Sequence, residues 1–253
     1  MFSRTLALVF AAAGCASALA QGGGALVDQT KPASQPAHGL TPETRGDILM
    51  ARKMYREAID TFSEEPHKTA VIYNKIGIAY HQLQQLDAAK KNYEQAVKLK
   101  HDYADALNNI GTVYYAKKNY RRAISYYNRA LRINESASVY SNLGTALFAR
   151  KQYDEASDAY QKAFSLDPDV FEHKSNYGTL LQDQNVEERA KFHYYLAKMY
   201  AKAGRNELAL QYVRKALEEG FKDKKKLNED PEFEALRDTP EFQELLTIEP
   251  KVL

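Results

Sequence analysis

The chain has 253 residues, room for one or two domains, and 44% hydrophobic with 27% charged residues is a globular rather than a disordered composition. The 35 Lys and Arg nearly balance the 33 Asp and Glu, and the net charge of +2 excludes a polyanion binder driven by bulk charge. With 12 Gly, 8 Pro and no Trp against 18 Tyr, breakers are few and helix is favoured.

Met1–Arg4 make a short basic start, Thr5–Ala13 an apolar stretch, and Ala18-Leu19-Ala20 a small-residue close. This order predicts a secretory signal peptide over residues 1–20, cut between Ala20 and Gln21. The apolar stretch is shorter than the roughly 20 residues a bilayer span needs, and no later segment is apolar enough. An exported protein, periplasmic or secreted, without a membrane span is therefore expected. A rival reading stays open: Ala12-Ala13-Gly14-Cys15 loosely resembles a lipobox, with Ala12 where Leu is usual, and would make Cys15 a lipid anchor in the envelope. Cys15 is the only cysteine, so cleavage after Ala20 leaves no disulfide and no cysteine-type zinc site. Residues 21–40 hold Gly22–Gly24, Pro32 and Pro36 without helical periodicity and read as a flexible linker.

Between Asp47 and Ala203 the glycines are Gly77, Gly111, Gly144 and Gly178, spaced by 34, 33 and 34 residues, and no proline falls between Pro66 and Pro168. Around them stand IYNKIGIAY, ALNNIGTVY, YSNLGTALF and KSNYGTLLQ. Twelve residues after the first three glycines come Ala89, Ala123 and Ala156, followed by Tyr93, Tyr127 and Tyr160, then Ala96, Ala130 and Ala163. Small residues alternating with one aromatic at helical spacing predict antiparallel helix pairs that stack on their neighbours.

On these residues the chain resembles the tetratricopeptide repeat (TPR) family, with Ile76 and Ile110 replacing the leucine before the glycine. The resemblance implies an all-α, right-handed superhelical solenoid of about five to six repeats over residues 41–222. Repeats fall near 41–69, 70–103, 104–136, 137–170 and, irregularly, 171–222. In the degenerate first repeat Gly46, Ala58 and Phe62 keep register; in the last, one helix over about Val186–Ala203 serves two frames, with Gly204 and Gly220 as stops. Residues 223–253 are expected to cap the solenoid: Asp230-Pro231 and Thr239-Pro240 each place a capping side chain before a proline, and Phe233, Leu236, Phe242, Leu245 and Leu246 cover the exposed end. Lys224–Lys226 read as a solvated face rather than a binding patch.

The histidines are His38, His67, His81, His101, His173 and His193, and no two stand at i, i+4. No phosphate loop and no nucleophile elbow occur. A non-enzyme without catalytic residues, metal or cofactor is expected, with a protein partner and no nucleic acid.

The resemblance puts the first helix of each pair on the concave side. The candidate peptide-binding residues there are Asn74, Lys75, Asn108, Asn109, Thr112, Tyr115, Asn142, Thr145, Phe148, Asn176 and Thr179. Asn costs part of a kcal/mol relative to Ala inside a helix, so its recurrence at 109, 142 and 176 calls for a reason. A carboxamide can pair with both polar groups of a peptide residue, and Tyr115 and Phe148 are expected to stand open as anchors. The row resembles the asparagine ladder of some TPR proteins, including the repeat arm of the O-linked GlcNAc transferase, with Lys75 breaking it. The carboxylate clamp of other TPR proteins is missing: Val71, Asp105, Ser138 and Glu172 stand where its lysine would. A second reading has Asn and Thr bonding between adjacent first helices and holding the solenoid in register. The functions implied are an adaptor gripping an extended peptide in its groove or, alternatively, an envelope scaffold using its convex face or cap. An enzyme-associated subunit is a remote third.

Overall fold

The computed structural model describes residues 39–171 and 186–249. Cys15, Ala20, Gln21, Asn176 and Thr179, and with them the expected signal peptide, lipid anchor and Gly178 block, lie outside the described residues.

The described chain is all-helical. Five antiparallel pairs follow one another: α1 (Pro42–Ala51) with α2 (Tyr55–Ser63), α3 (Ala70–Gln82) with α4 (Leu86–Leu99), α5 (Ala104–Ala116) with α6 (Tyr120–Ile133), α7 (Ala137–Ala149) with α8 (Tyr153–Leu166), and α9 (Val186–Lys202) with α10 (Asn206–Glu218). Then come α11 (Lys224–Glu229), a 3-10 turn (Pro231–Phe233), α12 (Glu234–Arg237) and α13 (Pro240–Leu246). Each pair leans on the next, and the first helices α3, α5 and α7 also touch in succession, which puts them on the inside of the curve.

Helix starts follow local chemistry. Thr41 Oγ1 accepts from Thr44 N at 3.1 Å ahead of Pro42, and Thr69 Oγ1 from Ile72 N at 3.3 Å. Within each of the first four pairs the helices close on a glycine facing an aromatic sixteen residues later. A Cβ on Gly77, Gly111 or Gly144 would lie 2.5, 2.6 or 2.5 Å from the ring of Tyr93, Tyr127 or Tyr160, and Gly46 meets Phe62 in the same way. Those rings and the flanking Ala89, Ala96, Ala123, Ala130, Ala156 and Ala163 are buried.

Of the turns inside the pairs, the stop at Gly204 is the expected one, and the other four carry no glycine to signal them. Each is closed by a residue in the left-handed region: Lys53 (φ 59°), Gln84 (59°), Lys118 (58°), Lys151 (63°) and Gly204 (71°). Only the last uses the residue type suited to it; Gly220 (φ 89°) takes the same conformation after α10.

At the C-terminal end Phe233, Leu236, Phe242 and Leu245 are buried against α9 and α10. Thr239 caps α13 by accepting from Phe242 N at 3.3 Å. Asp230 does not cap, contrary to expectation: its carboxylate takes the Tyr194 hydroxyl and, at 3.1 Å, the Lys198 ammonium. Lys224 Nζ donates to the carbonyls of Leu246 and Ile248 at 2.9 and 2.8 Å and so closes the end of α13.

Candidate protein-interaction surface

On the inner face the asparagines bond to one another. Asn109 Nδ2 donates to Asn74 Oδ1 at 3.0 Å, and Asn142 Nδ2 to Asn108 Oδ1 at 3.0 Å, each bond joining one first helix to the next. Asn74 and Asn142 are buried, 6% exposed each. A buried carboxamide needs a partner, and this pairing supplies it along the stack.

The threonines serve the core. Thr112 Oγ1 donates to Asn108 O (3.1 Å) and accepts from the Tyr127 hydroxyl (3.4 Å). Thr145 Oγ1 does the same for Ser141 O (2.9 Å) and Tyr160 (3.3 Å). Burial pushes the Tyr127 and Tyr160 hydroxyls far above the ordinary tyrosine range, which keeps them neutral donors. Ile78 occupies the corresponding place before Tyr93 and offers no hydroxyl.

Two expected anchors are corrected. Tyr115 is 7% and Phe148 0% exposed, so neither stands open in a groove. Phe148 is enclosed by Tyr153, Phe192 and Tyr195 with ring centroids at 5.0, 5.9 and 5.9 Å, and Tyr115 lies 5.3 Å from Tyr120. α7 is buried continuously from Val139 to Phe148, which also withdraws Asn142 and Thr145 from a ligand.

Among the described candidate residues, those that stay accessible lie on α3 and α5. Lys75 is held by Glu43 Oε1 and Asp47 Oδ2 at 2.8 and 2.7 Å. Burial works to lower its pKa, and bonding and charge from Asp47 and Glu43 outweigh that and raise it. Asp105 is exposed and Asn108, Asn109 and Thr112 are half-buried, at i, i+3, i+4 and i+7 of one α5 face. Among the described residues Asn108 Nδ2 and Asn109 Oδ1 have no partner, which leaves adjacent donors and an acceptor.

Elsewhere, a cleft of about 440 Å³ between α8 and α9 is lined by Asp154, Asp158, Tyr195, Lys198, Lys202 and Glu232 among others. Among the described residues no group of three His, Cys, Asp or Glu is placed to hold a metal ion, and no helix is long and apolar enough to cross a membrane.

Family models described as tetratricopeptide repeat match residues 104–136 and 137–170, another residues 174–223, and one described as TPR repeat residues 77–118. The chain is built of tetratricopeptide repeats. Among curated relatives, the TPR chain is 30% identical over 104 residues to the "Uncharacterized protein ycf37" of Porphyra purpurea, covering 36% of this chain and 60% of that one. It is 29% identical over 101 residues to the "Tetratricopeptide repeat domain-containing protein PYG7, chloroplastic" of Arabidopsis thaliana, covering 37% and 34%. Both matches span less than two thirds of the relative. Solved TPR structures share the fold: the Cut9–Hcn1 hetero-tetramer of APC/C (TM-score 0.51, 18% identity, 81% of this chain and 35% of that one) and MamA 41-end from Desulfovibrio magneticus RS-1 (TM-score 0.50, 20% identity, 72% and 94%).

Proposed function

We propose that this TPR protein is an exported protein–protein interaction module that holds an extended segment of a partner along the inner face of α3 and α5. The carrying observation is the spare hydrogen-bonding capacity of Asn108 and Asn109, beside the exposed Asp105 and half-buried Thr112 on one face of α5. Their amides fit the alternating N–H and C=O of an extended backbone, so the hold would be on main chain more than on side chains. The buried ladder through Asn74 and Asn142 pre-organises that face and does not touch the ligand. Export rests on the order of residues 1–20, basic, apolar, then small.

The test places a photo-crosslinking residue at Asp105 in the native host, with a second at Arg56 on α2 as control. A single adduct at Asp105 that disappears in a folded N108A/N109A variant supports the reading; adducts that ignore those substitutions overturn the groove. Mass spectrometry of the purified protein checks the leader, since a mature chain beginning at Gln21 is expected. A second reading, a scaffold acting through its convex face, is favoured by one observation: the exposed arginines of α6.

A further inference from the structure

Between Asp105 and Glu135 the chain carries six Lys or Arg and no acid. Four of them, Arg121, Arg122, Arg129 and Arg132, lie on α6. At about 100° per residue they fall within an arc of about 100°, opposite the buried Ala123, Tyr127 and Ala130. Arg121, Arg122 and Arg132 are exposed and Arg129 half-exposed. Beneath them Tyr114 and Tyr126 stack at 5.4 Å, with the Arg122 guanidinium 5.4 Å from the Tyr114 ring and the Arg129 guanidinium 4.8 Å from the Tyr126 ring.

None of the four arginines is in an ion pair among the described residues. Nearby carboxylates are spent elsewhere: Asp87 on Lys117, Glu94 on Lys90 at 2.7 Å, and Glu135 on the Tyr140 hydroxyl at 2.8 Å. Arginines in no ion pair among the described residues, two of them held over tyrosine rings, suit bidentate pairing with carboxylates.

The matching surface is on the same chain. From Glu229 to Glu249 there are eight acids and one base, Arg237. Of these acids Glu234, Asp238, Glu241 and Glu244 are exposed and in no ion pair among the described residues. They stand on α12, α13 and the turn between them, on the solvent side of the buried Phe233, Leu236, Phe242 and Leu245.

We propose that the arginine face of α6 docks the acidic C-terminal cap of a second copy of this chain. The two patches differ, so the contact is heterologous, head to tail, and an open assembly keeps one free arginine face at one end and one free acidic cap at the other unless a ring closes. The proposal uses none of the groove residues and stands or falls apart from the groove reading.

The test is sedimentation velocity of the full chain from roughly 0.01 M to roughly 1 M salt, across which the Debye length shrinks from about 30 Å to about 3 Å. Wild type is expected to associate at low salt and dissociate at high salt. The variants R121Q/R122Q/R129Q/R132Q and E234Q/D238N/E241Q/E244Q are each expected to stay monomeric, with dissociation constants raised about tenfold or more. Mixed in equal amounts they are expected to form a one-to-one pair, because the first keeps its acidic cap and the second its arginine face. Circular dichroism checks the fold, and R121Q/R132Q, away from the tyrosines, replaces the first variant if that one melts. Wild type that is monomeric at low salt overturns the proposal, including when it binds a foreign acidic protein. So does association unchanged by the arginine substitutions, or a mixture that does not pair.

Discussion

Asn142 donates to Asn108 across the gap between α7 and α5, 34 positions along the chain and 3.0 Å in space. The donor is buried and the acceptor half-buried, so the bond works as a spacer that keeps neighbouring repeats in register. Asn142→Ala is expected to lower stability by about 1 kcal/mol, a typical net hydrogen bond, without changing crosslinking at Asp105. Urea unfolding beside the crosslink assay checks both; lost crosslinking in a fully stable variant would make Asn142 a ligand contact.

Gly144 faces the ring of Tyr160, where an added Cβ would come within 2.5 Å. In a free helix Gly→Ala stabilises by about 1 kcal/mol. Here the ring is 2% exposed and has nowhere to retreat, so Gly144→Ala is expected to destabilise by about 1–3 kcal/mol. Gly144→Ala with Tyr160→Leu is expected to recover part of this. A melting temperature that rises in the single variant would show that the pair can open.

Thr145→Val keeps the shape and removes the acceptor of the Tyr160 hydroxyl, leaving a buried donor unmet. The expected loss is about 1–3 kcal/mol, and Tyr160→Phe in the same chain is expected to return much of it. A double-mutant cycle by denaturant unfolding reads the coupling.

Gly204 has a φ of +71° and open space around its missing Cβ. Gly204→Ala therefore tests backbone alone and is expected to cost about 1–2 kcal/mol. At Lys118 the same conformation already carries a side chain, so Lys118→Gly is expected to be near neutral or mildly stabilising. Equal effects at both positions would contradict the backbone account.

Acid should weaken the fold before the carboxylates titrate. Burial lowers the pKa of His81, and for His193 burial outweighs the Glu219 carboxylate 2.7 Å away, so both prefer the neutral form when folded. The unfolded chain takes the proton first, so their contribution is complete above the ordinary value of 6.5 and is lost as pH falls through the lower folded values. Urea midpoints are expected to decline below about pH 6.5, with a shallower slope in His81→Gln. An unchanged slope would remove His81 from the account.

Much of the scaffold could be read from glycine, alanine and tyrosine spacing, because a glycine facing a ring sixteen residues on is a local, periodic requirement of the helix pair. The helix starts at Ala70, Ala104 and Ala137 follow from the same period. The site was less legible. Tyr115 and Phe148 hold inner-face positions by spacing alone; Tyr120 and Tyr153, each five residues on, recur with the repeat and cover one side, but Phe192 and Tyr195, which enclose Phe148, come from distant chain that no local period encodes. The left-handed lysines at the turns escaped for a different reason: the geometry of the pair imposes them, against the preference of the residue.

The buried tyrosines also set a limit at the other end of the pH scale. Tyr93, Tyr127, Tyr160 and Tyr194 have hydroxyls that burial holds far above the ordinary value of 10. The folded repeats cannot accommodate phenolate, so their stability is complete below that value and drains away as pH climbs beyond it. In strong alkali these interior phenols would ionise only as the repeats open. With no tryptophan in the chain, ultraviolet absorbance would follow their ionisation, and the solenoid would report its own dissolution.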